Sequence, residues 1–260
     1  MEELFSYIAQ NYWGFILSLV RLSILFVAFP FFSTPFVPRR VKVALILALT
    51  LSLSSSLGVG VSPPGSYVEA FLLVLSEALL GFLFALVGAI FYGVVTYAGE
   101  LVSYLMGLTV ANLFDPTFGM VSVLGRLFVF TFYAVFFATG GAELFLGALW
   151  ESFKLIPPGS FGLKAGLFSF FIKEGGALFY LAFKLAFPFL FALFLTNLAL
   201  ALVNRLIPQI NVFIVGLPLQ VFVGLLVLSV GYGVVVYFNV SLSQRFLESL
   251  FNLLRGLKGG

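Results

Sequence analysis

The chain has 260 residues, of which 62% are hydrophobic and only 9% charged, with mean hydropathy +1.19 and net charge +3. A soluble domain carries about 25% charged residues, so this composition excludes a water-covered surface and places the chain in a membrane. The small charge, without a basic run, excludes nucleic acid, and the absence of Cys and His excludes disulfides, thiolate metal sites and His acid–base chemistry.

The chain starts "MEELFSYIAQ", with Glu2 and Glu3 where a signal peptide carries cations and with no Gly for myristoylation, so neither device is expected. A helix needs about 20 apolar residues to cross hydrocarbon, and roughly six stretches qualify. They lie near 11–32, 41–61, 70–98, 127–149, 176–203 and 212–240. The breaks are "FPFFSTPFVPRR", "GVGVSPPGS", "FDPTFG", "KLIPPGSFG" and "RLIPQINVFIVGLPLQ", where Pro removes a donor and biases the preceding residue away from helix. The runs are too long and too continuously apolar for a membrane barrel. The predicted fold is an all-α polytopic membrane protein with kinked and broken helices, built on helical hairpins.

Within the third stretch, Gly81, Ala85, Ala89 and Gly93 recur every four residues and form one narrow stripe. Small residues let helix backbones approach closely in a membrane, so the stripe is a candidate packing face. Next comes "LVSYLMGLTVANLF" at 101–114, apolar but short, and then the polar island "NLFDPTFG" at 112–119. The basic residues fall in three clusters: Arg39, Arg40 and Lys42; Lys154, Lys164 and Lys173; Arg245, Arg255 and Lys258. Simple spans would put the first two clusters on opposite sides, against the positive-inside rule. One extra crossing at 101–114, broken or re-entrant, reconciles them. Irregular backbone at membrane depth is tolerated only inside protein or beside a watery cavity, so the island points to a pore.

Arg21, Glu77, Glu143 and Lys184 interrupt apolar runs. Such charges mark ion or proton pathways, or else snorkel or pair with a partner subunit. No two of them stand at helical pairing distance, which favours the second pair of readings. Lys184 precedes Pro188 by four residues, so its carbonyl lacks a helical donor and a kink is expected. No phosphate-binding loop, GxGxxG or HExxH is present, and no enzymatic activity or cofactor is expected.

Four segments together resemble the FliR family, the export-gate subunits of flagellar type III secretion. They are "FPFFSTPFVPRRVKVALILALTL", "EALLGF" with "AGELVSYLMGLTVANLFDPTFGMVSVLGRLF", "ALWESFKLIP" with its Ser-Phe-x-x-x-Pro pattern, and "PQINVFIVGLPLQ". The resemblance spans nearly the whole chain in order, and "VGLPLQ" is closer to flagellar than to injectisome relatives. It implies a non-catalytic subunit that joins FliP and FliQ, with further export-apparatus membrane subunits, in the bacterial inner membrane within the basal body. Unfolded flagellar proteins would thread the assembly, and lipid would surround it. It also implies a FliP-like part over 1–174 and a FliQ-like helical hairpin over 175–260. The hairpin turn would be carried by Pro208, Gln209 and Asn211, with Pro218 in the motif that follows. The family's central loop forms a pore plug, which here would comprise Asn112, Phe114, Asp115, Pro116, Phe118 and Gly119 between Met106 and Met120. Asp115 and Pro116 stop a helix, Gly119 permits a tight turn and the thioethers suit a deformable seal. The alternative is a stand-alone secondary transporter or channel with broken helices around a midplane site.

Overall fold

A computed structural model describes residues 11–33, 37–57, 61–108, 122–164, 166–207, 209 and 212–258. Among these the regular structure is entirely helical: α1 (Tyr12–Ala28), α2 (Pro30–Ser33), α3 (Arg39–Leu57), α4 (Tyr67–Leu105), α5 (Val123–Ala138), α6 (Gly141–Leu155), α7 (Gly166–Leu206) and α8 (Val212–Lys258). The protein is an all-α polytopic membrane protein. Three helices, α4, α7 and α8, are each long and apolar enough to cross a membrane, and the broken pair α5 and α6 makes a fourth if counted as one span.

That count is lower than the roughly six stretches expected from the apolar runs, and local chemistry accounts for the difference. The first run splits because Pro30 disfavours helix at the residue before it, and Phe29 leaves α1 in extended backbone (φ −70°, ψ 124°). What remains, α1, is only 17 residues long. The 127–149 run breaks at Gly140, whose φ of +73° suits glycine. The extra crossing expected at 101–114 is overturned over its first part: Leu101–Leu105 continue α4 without interruption in a helix of 39 residues. The rest of that segment, from residue 109, lies outside the described residues. Pro188 and Pro218 lie inside α7 and α8, each removing one backbone donor without ending its helix.

The chain divides into two compact units, and both are discontinuous along the sequence. The first comprises Met1–Ile90, Ala142–Glu174 and Phe246–Gly260; the second comprises Phe91–Gly141 and Gly175–Arg245. In the first unit α1 packs against α3. Leu17, Arg21, Leu22 and Leu25 form the buried stripe of α1, at the three- and four-residue spacing that keeps one face inward. The Phe29 ring packs between Phe145 and Phe246, with centroids 5.1 and 6.1 Å away, and occupies the space a side chain at Gly88 would need. In the second unit Phe128 of α5 meets Phe189 of α7 at 6.0 Å. Val94, Val95, Ala98 and Val102 of α4 are buried in that same unit.

The small-residue stripe is split between different neighbours. Gly81 lies against the α1 backbone: a Cβ there would collide with the Arg21 carbonyl oxygen. Ala85 is buried, Ala89 is half-buried and Gly93 faces the Leu178 side chain of α7. Substituting Ala85 with Leu adds three carbons to a filled site, and overpacking of this kind costs about 1–3 kcal/mol. A fall of several degrees in the unfolding temperature of the detergent-solubilised variant is the expected outcome. An unchanged transition would show that the site has room.

Candidate functional site

Of the expected plug residues, Asn112, Phe114, Asp115, Pro116, Phe118, Gly119 and Met120 lie outside the described residues, as do Pro208 and Asn211 of the hairpin turn. What the structure describes is the frame from which residues 109–121 depart and to which they return, all of it in the second unit.

On the entry side, α4 ends in a left-handed glycine. Gly107 has φ +73°, and its N–H donates to the Tyr104 carbonyl at 3.0 Å, which satisfies one of the acceptors a helix end leaves open. Met106, the residue before it, is fully buried, and its thioether lies where a side chain at Gly224 would have to stand. A Cβ on Gly107 would press on the Leu217 side chain at 2.5 Å and approach Gln220 Oε1 at 3.6 Å. The first turns of α8, which carry the "GLPLQ" motif, are thus seated against the end of α4. Gln220 Nε2 in turn donates to Asn197 Oδ1 on α7, so one carboxamide links both arms of the hairpin beside that end. Pro218 stands between these two contact residues, and Gln209 is exposed in the turn.

On the return side, Ser122 caps α5. Its backbone is extended (φ −64°, ψ 159°) and its hydroxyl oxygen accepts from Gly125 N–H at 3.0 Å, the arrangement that makes Ser a favoured N-cap. The Ser122 N–H, left without a helical acceptor, donates to Glu100 Oε1 of α4 at 2.7 Å. One residue earlier on α4, Gly99 meets the Gly125 backbone: a Cβ on Gly99 would lie 2.5 Å from Gly125 Cα. The two helices therefore cross backbone to backbone, with a carboxylate fastening the start of the second onto the first. Replacing Glu100 with Ala removes this acceptor from a part-buried N–H, a loss of about 1–3 kcal/mol. The expected result is faster amide exchange at Ser122 and the first turn of α5, with Glu100→Gln, which retains an acceptor, showing a smaller change. Equal exchange in all three proteins would contradict the fastening role.

A second polar site lies in the first unit. Arg21 and Glu77, 56 positions apart in sequence, form a buried ion pair with Nε 2.6 Å from Oε2, at side-chain exposures of 2% and 0%. The guanidinium also donates to the carbonyls of Ser152 at 3.4 Å and Ile156 at 2.9 Å and lies 4.3 Å above the Phe153 ring. The other carboxylate oxygen accepts from Gly159 N–H at 2.8 Å. Gly159 has φ +84° after Pro158, and Ser160 N–H returns to the Pro157 carbonyl at 3.0 Å, the geometry of a type II turn with Pro and Gly in their favoured places. The Ser-Phe-x-x-x-Pro segment thus supplies the cradle of Arg21. Neither snorkelling nor a partner subunit is needed for Arg21 and Glu77, which corrects the expectation for these two charges. Sequence reasoning missed the pair because only tertiary packing brings α1 and α4 together. Glu143 stands exposed in the first turn of α6, where a negative charge complements the helix dipole, and Lys184 is exposed on α7.

Gly99, Glu100, Ser122, Gly125 and Gly224 were also missed as site residues. Ser122 ahead of an apolar run was a readable N-cap signal; the glycines were readable only as isolated small residues. Among the described residues, no cluster of acidic side chains is arranged to hold a metal ion.

This frame is assembled from the segments that carry the resemblance, and the whole sequence agrees with it. The profile of the family described as Bacterial export proteins, family 1, matches residues 12–246. The chain belongs to this family. Its relatives include the flagellar biosynthetic protein FliR of Aquifex aeolicus (strain VF5), 32% identical over 236 residues that cover 90% of this chain and 89% of that protein. FliR of Bacillus subtilis (strain 168) is 32% identical over 251 residues, covering 93% and 94%. The secretion system apparatus protein SsaT of Salmonella typhimurium is 32% identical over 176 residues, covering 67% and 68%. The export family therefore includes flagellar and secretion-system relatives, and the flagellar ones match this member over more of its length.

Proposed function

We propose that this chain is a non-catalytic subunit of the flagellar type III protein export gate, in the bacterial inner membrane within the basal body. It joins FliP and FliQ subunits, and unfolded flagellar proteins pass through the pore it helps to shape. Near full-length similarity to flagellar FliR proteins carries this reading. Residues 1–174 act as the FliP-like part and 175–260 as the FliQ-like hairpin. Residues 112–119 close the pore, with Met106 and Met120 at their flanks.

The frame supports that assignment physically. A closure needs fixed ends and a movable middle, because it must yield to substrate without unfolding its scaffold. Here the Gly107 helix end, the Met106 seat beside Gly224, the Gly99–Gly125 crossing and the Glu100–Ser122 bond hold both ends to packed helices. The hairpin motif lies against the entry end, so movement of the arms would reach the closure directly.

Complementation tests the reading. Expression of this chain in a non-motile strain lacking its own FliR is expected to restore flagellar filaments, and FliP and FliQ should co-purify with the tagged chain. A chain that is stable and active in solute transport without either partner would favour the stand-alone transporter instead.

A further inference from the structure

The hairpin helices are far longer than a bilayer is thick. With 41 and 47 residues, α7 and α8 extend about 60 and 70 Å, twice the roughly 30 Å of the hydrocarbon core. Only part of each can meet lipid chains.

On α7, the residues from Leu185 to Asn204 carry no charge, and Lys184 and Arg205 stand at the two ends of that stretch, both exposed. Their separation along the helix is about 32 Å, the thickness of the hydrocarbon core. Between them most exposed side chains are apolar, and large ones include Phe187, Phe191, Phe194, Leu195, Leu198 and Leu202. The Gln220–Asn197 hydrogen bond sets the level of α8 against α7. From Asn197 the chain runs about nine residues to the end of α7, and Gln220 lies about as far into α8, so the arms run antiparallel with these two residues side by side. By that register Lys184 stands level with Gly233; α8 is free of charge from Val212 to Gln244, so on this arm Tyr237 rather than a charge marks the level. Tyr180 and Tyr237, both strongly exposed, then stand at one level about one turn beyond Lys184, while Asn204, Arg205 and Gln209 are exposed at the opposite end. Tyrosines and cations at hydrocarbon boundaries, with an uncharged band between, are the pattern of a lipid-facing surface.

We propose that lipid acyl chains cover this hairpin only between the levels of Lys184 and Arg205, on the half of each arm nearest the turn. The Lys184 ammonium and the Tyr180 and Tyr237 hydroxyls sit at the headgroup level, and residues 175–183 and 234–245 lie outside the hydrocarbon. The placement is tested within the assembly proposed above and so rests on that reading.

The native chain has no Cys, so single cysteines can be labelled uniquely. Nitroxide labels at Phe191→Cys, Leu198→Cys and Leu226→Cys report the band; Gly176→Cys and Tyr237→Cys report the regions beyond it. All five positions are exposed, and a Cβ at Gly176 meets nothing within 4 Å. Leu195→Cys replaces any band variant that fails to accumulate. The full chain, co-purified with its partner subunits, is reconstituted in phosphatidylethanolamine–phosphatidylglycerol vesicles, and collision rates with oxygen and with a water-soluble nickel chelate are measured. The oxygen-to-nickel ratio is expected to be several-fold higher at the band positions than at Gly176→Cys and Tyr237→Cys. A ratio that peaks at the outer positions, or is equal at all, would overturn the placement. So would exclusion of both reagents from the band positions, because protein rather than lipid would then cover that face. Motility of strains carrying each variant reports the export role separately.

Discussion

Replacing Glu77 with Ala, or Arg21 with Ala, is expected to destabilise the first unit by about 3–5 kcal/mol, because each change leaves a buried charge without its partner. The two variants should differ in detail. Without Glu77, Arg21 keeps the Ser152 and Ile156 carbonyls and the Phe153 ring, but the Gly159 N–H loses its acceptor. Without Arg21, the carboxylate keeps only that N–H in an apolar setting and the Ile156 carbonyl loses the guanidinium donor, while the Ser152 carbonyl keeps the Ile156 N–H at 3.0 Å. Arg21→Ala is therefore expected to be the more damaging. The double replacement Arg21→Met with Glu77→Met removes both charges at similar volume and should cost less than either single change. Thermal unfolding in detergent of the native chain, the single Arg21→Met and Glu77→Met variants and their double closes the cycle. Additive effects would contradict a coupled pair.

Introducing Leu at Gly99 is expected to be as severe. The obstacle at this crossing is the backbone of Gly125, 2.5 Å from where a Cβ would stand, and backbone cannot turn aside as a side chain tip can. Overpacking typically costs about 1–3 kcal/mol, and a backbone clash belongs at or above the upper end of that range. The helices would have to separate, which also pulls Glu100 away from the Ser122 N–H. Loss of the folded chain from membranes is the expected result for Gly99→Leu, with Gly99→Ala intermediate. Gly147→Ala is the control, since a Cβ there meets nothing within 4 Å. Normal accumulation of Gly99→Leu would show that α4 and α5 do not rely on this contact.

The sequence revealed the membrane class, the helical fold and the main breaks because those follow from composition and from Pro and Gly, which act locally. The limits of individual helices were less legible. Counting apolar residues merged α5 with α6 across Gly140 and separated Leu101–Leu105 from α4, since hydropathy does not report where backbone hydrogen bonding stops. The small stripe was legible as a pattern, but Gly81 and Gly93 turn out to face different helices, which no periodicity encodes. The Arg21–Glu77 pair was illegible for a sharper reason: each charge looked isolated, and the turn that completes their cradle lies 82 positions from Glu77. The meeting of "GLPLQ" with Met106 and Gly107 was hidden in the same way, although both segments had been singled out.

If residues 112–119 close a pore held by this frame, as proposed, ion conductance reports it. Deleting 115–119 leaves Met106, Gly107, Glu100 and Ser122 in place, so the gate should still assemble. The deletion variant, co-purified with FliP and FliQ at normal yield and reconstituted in planar bilayers, is expected to show a standing ion conductance that the intact assembly lacks. An assembled deletion variant as tight as the intact protein would contradict the proposed closure.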